Sequence, residues 1–442
     1  MEVHIRKRLE RKQLKEIKDI LSAMNPVDLA ELFEEFEYGE LSMLYRLLPK
    51  DDAAECFSYM NSHLQEQLIN SFTDSEIRDV INEMYLDDTV DMIEELPANV
   101  VDRILMVTGD SKRSQINELL NYPEDSAGSI MTVEYVTLRR EMTVAEAIRK
   151  IRTVGLRKET VYTCYVTEKR KLVGYVPVKD ILTSSDGKTI DEIMEEHVFS
   201  VETQEDQEEV LKLMTKYSLM AIPVVDYTMC MVGIITIDDI LVVQQEENTE
   251  DIERMAAINP SEKSYFETSV LEHAKNRIAW LLILMLTSTL IGMWIDQRKA
   301  AFEGMIMIVS FMPMIMGTGG NSGSQSAALM IRGLAVEEIH FHDIFKVIWK
   351  EFRVAFLVSV VLGIANGIRI YLMYGELLLA VVVGLTLLGT IVLAKLVGGS
   401  LPLLAQKLKV DPALMAAPLI TTIVDAGSMM IYFGIVTIAF GI

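Results

Sequence analysis

Residues 313–326 read Pro313-Met-Ile-Met-Gly-Thr-Gly-Gly-Asn-Ser-Gly-Ser-Gln-Ser326, inside an apolar segment spanning about 305–331. Four glycines, four hydroxyl residues, an Asn and a Gln stand where a lipid-facing helix would carry Leu and Val. In hydrocarbon every backbone polar group must be satisfied. Such a patch is therefore tolerated only where helices approach closely or where the chain lines a wet cavity. Composition alone leaves both readings open: a packing face or the wall of a path for something polar.

Around this stretch the last 167 residues resolve into five apolar segments, 278–295, 305–331, 354–374, 377–405 and 413–442. Roughly 20 helical residues cross a hydrocarbon core of about 30 Å, so five spans are expected. Only Gly375 and Glu376 separate the third and fourth, which predicts a tight hairpin. Lys275, Arg277, Arg332, Lys346, Lys350, Arg353, Lys407 and Lys409 flank one side, while Arg298 and Lys299 fall in an opposite loop, with Arg369 just below that face. The positive-inside rule then places the N-terminus in the cytosol and the C-terminus outside. The start, MEVHIRKRLERKQLKEIKDIL, is basic without an apolar core and does not read as a secretory signal.

Charge divides the chain sharply. The whole carries −23; from Glu272 onward twelve Lys or Arg face ten Asp or Glu, so residues 1–271 carry about −25. An acidic body of this kind excludes a nucleic-acid binder, which needs a basic face. It is either plain solubility or a surface that collects cations. Three scattered cysteines, Cys56, Cys164 and Cys230, with no CxxC, fit reduced thiols in the cytosol.

Residues 1–120 repeat a turn, a cap and an amphipathic stretch, as in Asn25-Pro-Val-Asp-Leu-Ala-Glu-Leu-Phe and Ser71-Phe-Thr-Asp-Ser-Glu-Ile-Arg-Asp-Val-Ile. This predicts a superhelix of short helices, each burying one face on the next. No nucleophile–base pair or metal-ligand spacing is visible there, and Asp87, Asp88 and Asp91 read as solvated helix ends. Residues 121–245 contain an internal duplication. Lys171-Leu-Val-Gly-Tyr-Val-Pro-Val-Lys-Asp-Ile-Leu182 is matched by Met231-Val-Gly-Ile-Ile-Thr-Ile-Asp-Asp-Ile-Leu241, each after a helix and a strand. Two matched β-α-β-β-α units resemble a tandem CBS-domain pair. That resemblance implies a nucleotide site at Gly233, Thr236 and Asp239, with ATP as a regulatory ligand. The first copy has Pro177 where the motif wants a hydroxyl, and Asp239 reads equally well as a helix cap. Residues 246–275 form an acidic connector broken at Pro260, with an amphipathic helix expected at 264–275; several carboxylates there could hold a hard divalent cation.

Within the spans Asp425 decides the chemistry. A carboxylate at mid-span costs about 2.5–3.5 kcal/mol on insertion scales, so it must face a cavity or a partner. Pro418 is expected to free a carbonyl near Thr421 and Thr422. Together these offer oxygen acceptors to a cation that keeps its water, as Mg²⁺ does. An ion pair of Asp425 with Lys395 is the structural alternative; Lys395 otherwise snorkels or faces another helix. No other acid is expected deep in the spans.

The module order, with PMIMGTGGNSGSQS, VDPALMAAP and TTIVDAGSMMIYF, resembles the MgtE family of magnesium channels over nearly the whole chain. The fold implied is multidomain: an all-α superhelical N-terminal domain (1–120), an α/β tandem CBS pair (121–245), an acidic connecting helix (246–275) and an α-helical membrane domain of five transmembrane helices (276–442). The resemblance also implies a homodimer in the plasma membrane, conducting Mg²⁺ and closed by cytosolic Mg²⁺. It places Asp425, Thr421, Asn321 and Gly320 in the pore, and Asp239, Glu247, Glu250, Asp251 and Asp411 in Mg²⁺ sensing. Entry driven by the membrane potential fits a chain with no ATP-hydrolysing P-loop and no enzyme signature. Rival readings are a path for Co²⁺ or another divalent ion, an anion channel, and a membrane-anchored nucleotide or Mg²⁺ sensor.

Overall fold

A computed structural model of the chain describes residues 1–261, 265–266, 268–296 and 306–441. Ser264, Arg298, Lys299 and the span ends at 305 and 442 lie outside the described residues. The chain divides into two compact units, Met1–Gln244 and Gln245–Ile442.

The first unit begins with ten short helices, α1 (Glu2–Glu10) to α10 (Asp110–Leu119), each of 8–10 residues. Helices this short are marginal alone, so caps and stacking decide whether they form. Asn25 caps α3 (Pro26–Phe33) by accepting the Val27 N–H, and Thr73 with Glu76 forms a capping box on α7 (Asp74–Glu83). The open carbonyl ends are satisfied from neighbouring helices. Arg103 of α9 (Ala98–Val107) donates to Ile69 O at 2.8 Å and Phe72 O at 2.6 Å, closing α6 (Ser62–Ser71). Lys112 of α10 donates to Ile81 O, and to Met84 O at 2.7 Å, closing α7. Helices α9 and α10 thus each lend a basic side chain to the helix end three places earlier.

The duplicated stretch forms two three-stranded sheets of the same design. In the first, β1 (Thr137–Leu138) runs parallel to β2 (Thr163–Glu168), which pairs antiparallel with β3 (Lys171–Pro177); α11 (Val144–Val154) and α12 (Val178–Thr183) complete the unit. In the second, β4 (Val201–Glu202), β5 (Ala221–Val225) and β6 (Met231–Thr236) repeat the order with α13 (Gln207–Tyr217) and α14 (Ile237–Met255). Even the irregularity recurs, with register shifts at Val166/Thr167 and Val224/Val225. The apolar core of the helical array runs on into the second copy, through Met131, Val210, Met214 and Ile222, whereas the first copy keeps a separate core around Leu138, Ala147 and Val176.

The second unit is helical: α15 (Val270–Asp296), α16 (Ile306–Val309), α17 (Met312–Ala335), α18 (Ile344–Tyr374), α19 (Leu377–Lys407) and α20 (Ala417–Phe440). Among the described residues four helical stretches are long and apolar enough to cross a membrane: Val270–Met293, Phe341–Tyr374, Leu377–Lys407 and Pro412–Phe440. The Gly-rich helix α17 has the length, 24 residues, but its Gly, Ser and Asn content keeps it from that group, so the expected count of five rests on α17. The hairpin is as predicted: Gly375, at φ +72°, ends α18, and α19 starts at Leu377. Two boundaries differ. The amphipathic helix expected at 264–275 starts only at Val270 and runs on without a break as α15. Helix α18 begins at Ile344 rather than near 354, because Phe345, Val347, Ile348, Trp349 and Phe352 extend its apolar pattern through the basic residues.

Candidate functional site

Helix α17 is sided by its glycines. A Cβ on Gly319 would meet Thr390 Cγ2 at 2.7 Å and Val424 Cγ1 at 2.8 Å; on Gly320 it would meet Thr421 Cγ2 at 2.8 Å; on Gly323, Ile420 Cγ2 at 2.7 Å. These residues therefore set α17 directly against α20 and α19, which no larger residue permits. Gly317, Asn321 and Gln325, spaced four apart, form an exposed stripe on α17. One face of α17 is thus a packing face, and the stripe through Asn321 is not packed.

Asp425 lies one turn beyond Thr421 on α20 and is half-buried. Thr421 and Thr422 both donate to Pro418 O, at 2.9 Å each. The expected free carbonyl is corrected here: Pro418 stands in the first turn of α20, where a missing N–H breaks no helical bond.

The Asp425–Lys395 pair is also corrected. Lys395 Nζ lies 4.0 Å from Glu351 Oε2 and donates to Ser326 Oγ at 3.2 Å, and Ser326 Oγ donates to the same Glu351 oxygen at 2.6 Å. The expectation that no acid besides Asp425 lies deep among the spans fails with it, since Glu351 is buried. Its signal was present in the apolar residues flanking it and in the need of a mid-span lysine for a counter-charge.

At the end of this unit that adjoins the connector, the connector candidates are joined by a cation, Arg254. Arg254, near the end of α14, pairs with Glu250 and with Asp411. Asp411 Oδ1 also accepts the Ala413 N–H at 2.7 Å, capping the turn before α20. Glu247 and Asp251 are half-buried on the same helix.

In the first unit Asp87 and Asp88, at the start of α8 (Leu86–Glu95), are half-buried rather than solvated. Burial, then Asp88 and Asp239, push the Asp87 carboxyl up to about 7; burial, then Asp239, push Asp88 to about 6. Glu159 is pushed to about 8 by burial and then by Asp87, Asp238 and Asp239. Asp91 moves the same way, by burial and then Asp87 and Asp88, but its surface is open to water, which screens the effect. These acids belong to segments far apart in sequence, so spacing could not have joined them. Among the described residues no group of three or more His, Cys, Asp or Glu side chains is arranged to hold a metal ion. The cluster gathers charge without forming a closed ligand shell.

Of the nucleotide candidates, Thr236 is buried, and its hydroxyl donates to Asp239 Oδ2 at 2.6 Å while its N–H donates to the same atom at 3.2 Å. Asp239 thus acts as a helix cap at the start of α14. Gly233 packs against Met131 and Thr132, where a Cβ would clash.

Comparison with known proteins adds the following. The family model for MgtE, described as a divalent cation transporter, matches residues 312–435; the MgtE intracellular N domain matches 24–125, and CBS domains match 127–187 and 190–246. Magnesium transporter MgtE of Thermus thermophilus is 35% identical over 394 residues, covering 88% of this chain and 87% of that protein. Magnesium transporter MgtE of Bacillus subtilis is 33% identical, covering 88% and 86%. The crystal structure of the cytosolic domain of the Mg²⁺ channel MgtE in complex with ATP aligns with a TM-score of 0.52 and 32% identity, over 55% of this chain and all of that one.

Proposed function

The chain belongs to the MgtE family of divalent cation transporters, and on that premise we propose that it passes Mg²⁺ across the plasma membrane into the cytosol, as a homodimer driven by the membrane potential. The observation that carries this reading is the close seating of Gly320 on Thr421, one turn from Asp425, with the stripe through Asn321 left exposed. Oxygen donors and a carboxylate beside an open polar stripe suit a hydrated dication, which dehydrates reluctantly. In this reading Asp425 supplies the charge, and Asn321 and the Thr421 oxygens address the ion's water. An inside-negative potential favours a divalent ion by about 4.6 kcal/mol per 100 mV, twice the value for one charge. The C-terminus of α20 then lies outside.

Closure by cytosolic Mg²⁺ follows from the two acidic groups. Asp87, Asp88, Glu159, Asp238 and Asp239 repel one another until a dication screens them. Glu247, Glu250, Asp251 and Asp411 do the same near the inner mouth. ATP is a regulatory ligand of the second CBS copy in this reading, supported by the ATP complex of the 32% identical cytosolic domain; binding requires Asp239 to leave Thr236.

Reconstituted flux tests the proposal. Wild-type protein takes up Mg²⁺ and excludes Cl⁻, and Asp425→Ala lowers the rate at least tenfold. Unchanged Mg²⁺ flux in Asp425→Ala would sink the site. Oxygen donors accept several divalent ions, so Co²⁺ flux above that of Mg²⁺ would identify a different cargo on the same path.

A further inference from the structure

Three buried polar residues on and behind the Gly-rich helix have no part in the cation path. Ser326, Glu351 and Lys395 come from α17, α18 and α19, and retain 0%, 7% and 6% of their exposure. The room for them is made by two adjacent glycines. Gly398 lets α19 close onto the backbone of α17 at Gly323, and Gly399 leaves space for Glu351, whose Cγ would lie 3.0 Å from a Cβ there. Lys395 and Gly399 are one turn apart on α19, so the ammonium and the slot for the carboxylate share a face.

Two opposite charges buried among apolar helices are tolerated only when paired and hydrogen-bonded. Here the bonds converge on one hydroxyl: Lys395 donates to Ser326, and Ser326 donates to Glu351. Ser326 lies five residues after Asn321, roughly 140° around the helix at about 100° per residue. It therefore sits behind the exposed stripe.

We propose that Glu351 and Lys395 are positioning residues: as a buried neutral pair they hold the Ser326 hydroxyl and so fix the rotation and depth of the Gly-rich helix that carries Asn321 and Gln325. This rests on the reading of α17 as a wall of the cation path. Removing one charge leaves the other buried and unpaired, and α17 must shift or admit water to solvate it. Removing both leaves nothing to solvate.

The test uses the full chain in liposomes, comparing wild type with Lys395→Met, Glu351→Gln, Lys395→Arg and the double variant Glu351→Gln/Lys395→Met. The readout is the ratio of Mg²⁺ to Ca²⁺ influx, since loss of folded protein scales both fluxes equally and leaves the ratio alone. Each single neutral variant is expected to change the ratio at least fivefold. The double variant and Lys395→Arg should return it to within about twofold of wild type. A wild-type ratio in Lys395→Met overturns the proposal, as does a double variant no better than the single ones. A second measurement stands apart from transport: the rate at which a water-soluble thiol reagent modifies Asn321→Cys in a Cys230→Ser background. Lys395→Met should change this rate at least fivefold and the double variant restore it; no change would refute the positioning role. If wild type passes no Mg²⁺, the transport reading fails while the labelling rate still decides the positioning.

Discussion

Gly323 of α17 and Gly398 of α19 stand backbone to backbone, with the Cβ position of Gly398 occupied by the carbonyl oxygen of Gly323. A backbone oxygen cannot rotate away as a side chain can, so the two helices keep this distance only while residue 398 has no side chain. The approach also brings Ser326, one turn further along α17, to Lys395.

Gly398→Ala therefore forces α19 away from α17. Overpacking of this kind costs about 1–3 kcal/mol. Melting in detergent should move down by several degrees, and Mg²⁺ uptake should fall with it. Gly292→Ala, inside α15 where an added methyl meets nothing within 4 Å, should lower neither.

Lys112 closes the carbonyl end of α7 from α10. Lys112→Met leaves those carbonyls unpaired in a partly buried place, at a cost of about 1–3 kcal/mol. The melting transition of the cytosolic part should fall by a few degrees, and Lys112→Arg, which retains a donor, should recover most of it.

Asp87 and Asp88 hold their protons to about pH 7 and 6 in the folded chain, against about 3.9 when unfolded. The folded state therefore binds more protons between about pH 4 and 7, and stability falls as pH rises through that window. Without Mg²⁺, the cytosolic part should melt at a higher temperature at pH 5.5 than at pH 7.5. Millimolar Mg²⁺ should narrow the gap by stabilising the charged acids at pH 7.5. Equal melting temperatures at both values would show that the acids do not meet as described.

Arg254 occupies two carboxylates, Glu250 and Asp411, that the proposed function assigns to Mg²⁺. Arg254→Gln should let cytosolic Mg²⁺ close the path at a concentration about two- to fivefold lower. That is the equivalent of up to about 1 kcal/mol for a half-exposed ion pair. Patch recordings over a series of internal Mg²⁺ concentrations measure the shift.

Local chemistry made much of this molecule legible in its sequence. Apolar length marked most of the membrane helices, the repeated strand motif marked two sheets of one design, and Asn25 and Thr73 announced helix starts. Gly375 marked the hairpin. Each of these is decided by a residue and its near neighbours along the chain. The meeting of side chains is not. Helical period says which residues share a face, but how a helix is rotated against its neighbours depends on the packing of all of them. That is why Lys395 found Glu351 rather than Asp425, and why Asp87 and Asp88 came to face Glu159 and Asp239. The Gly-rich stretch itself joins both levels: its composition demanded close packing or water, and only the seating of Gly319, Gly320 and Gly323 against α19 and α20 decided which face packs.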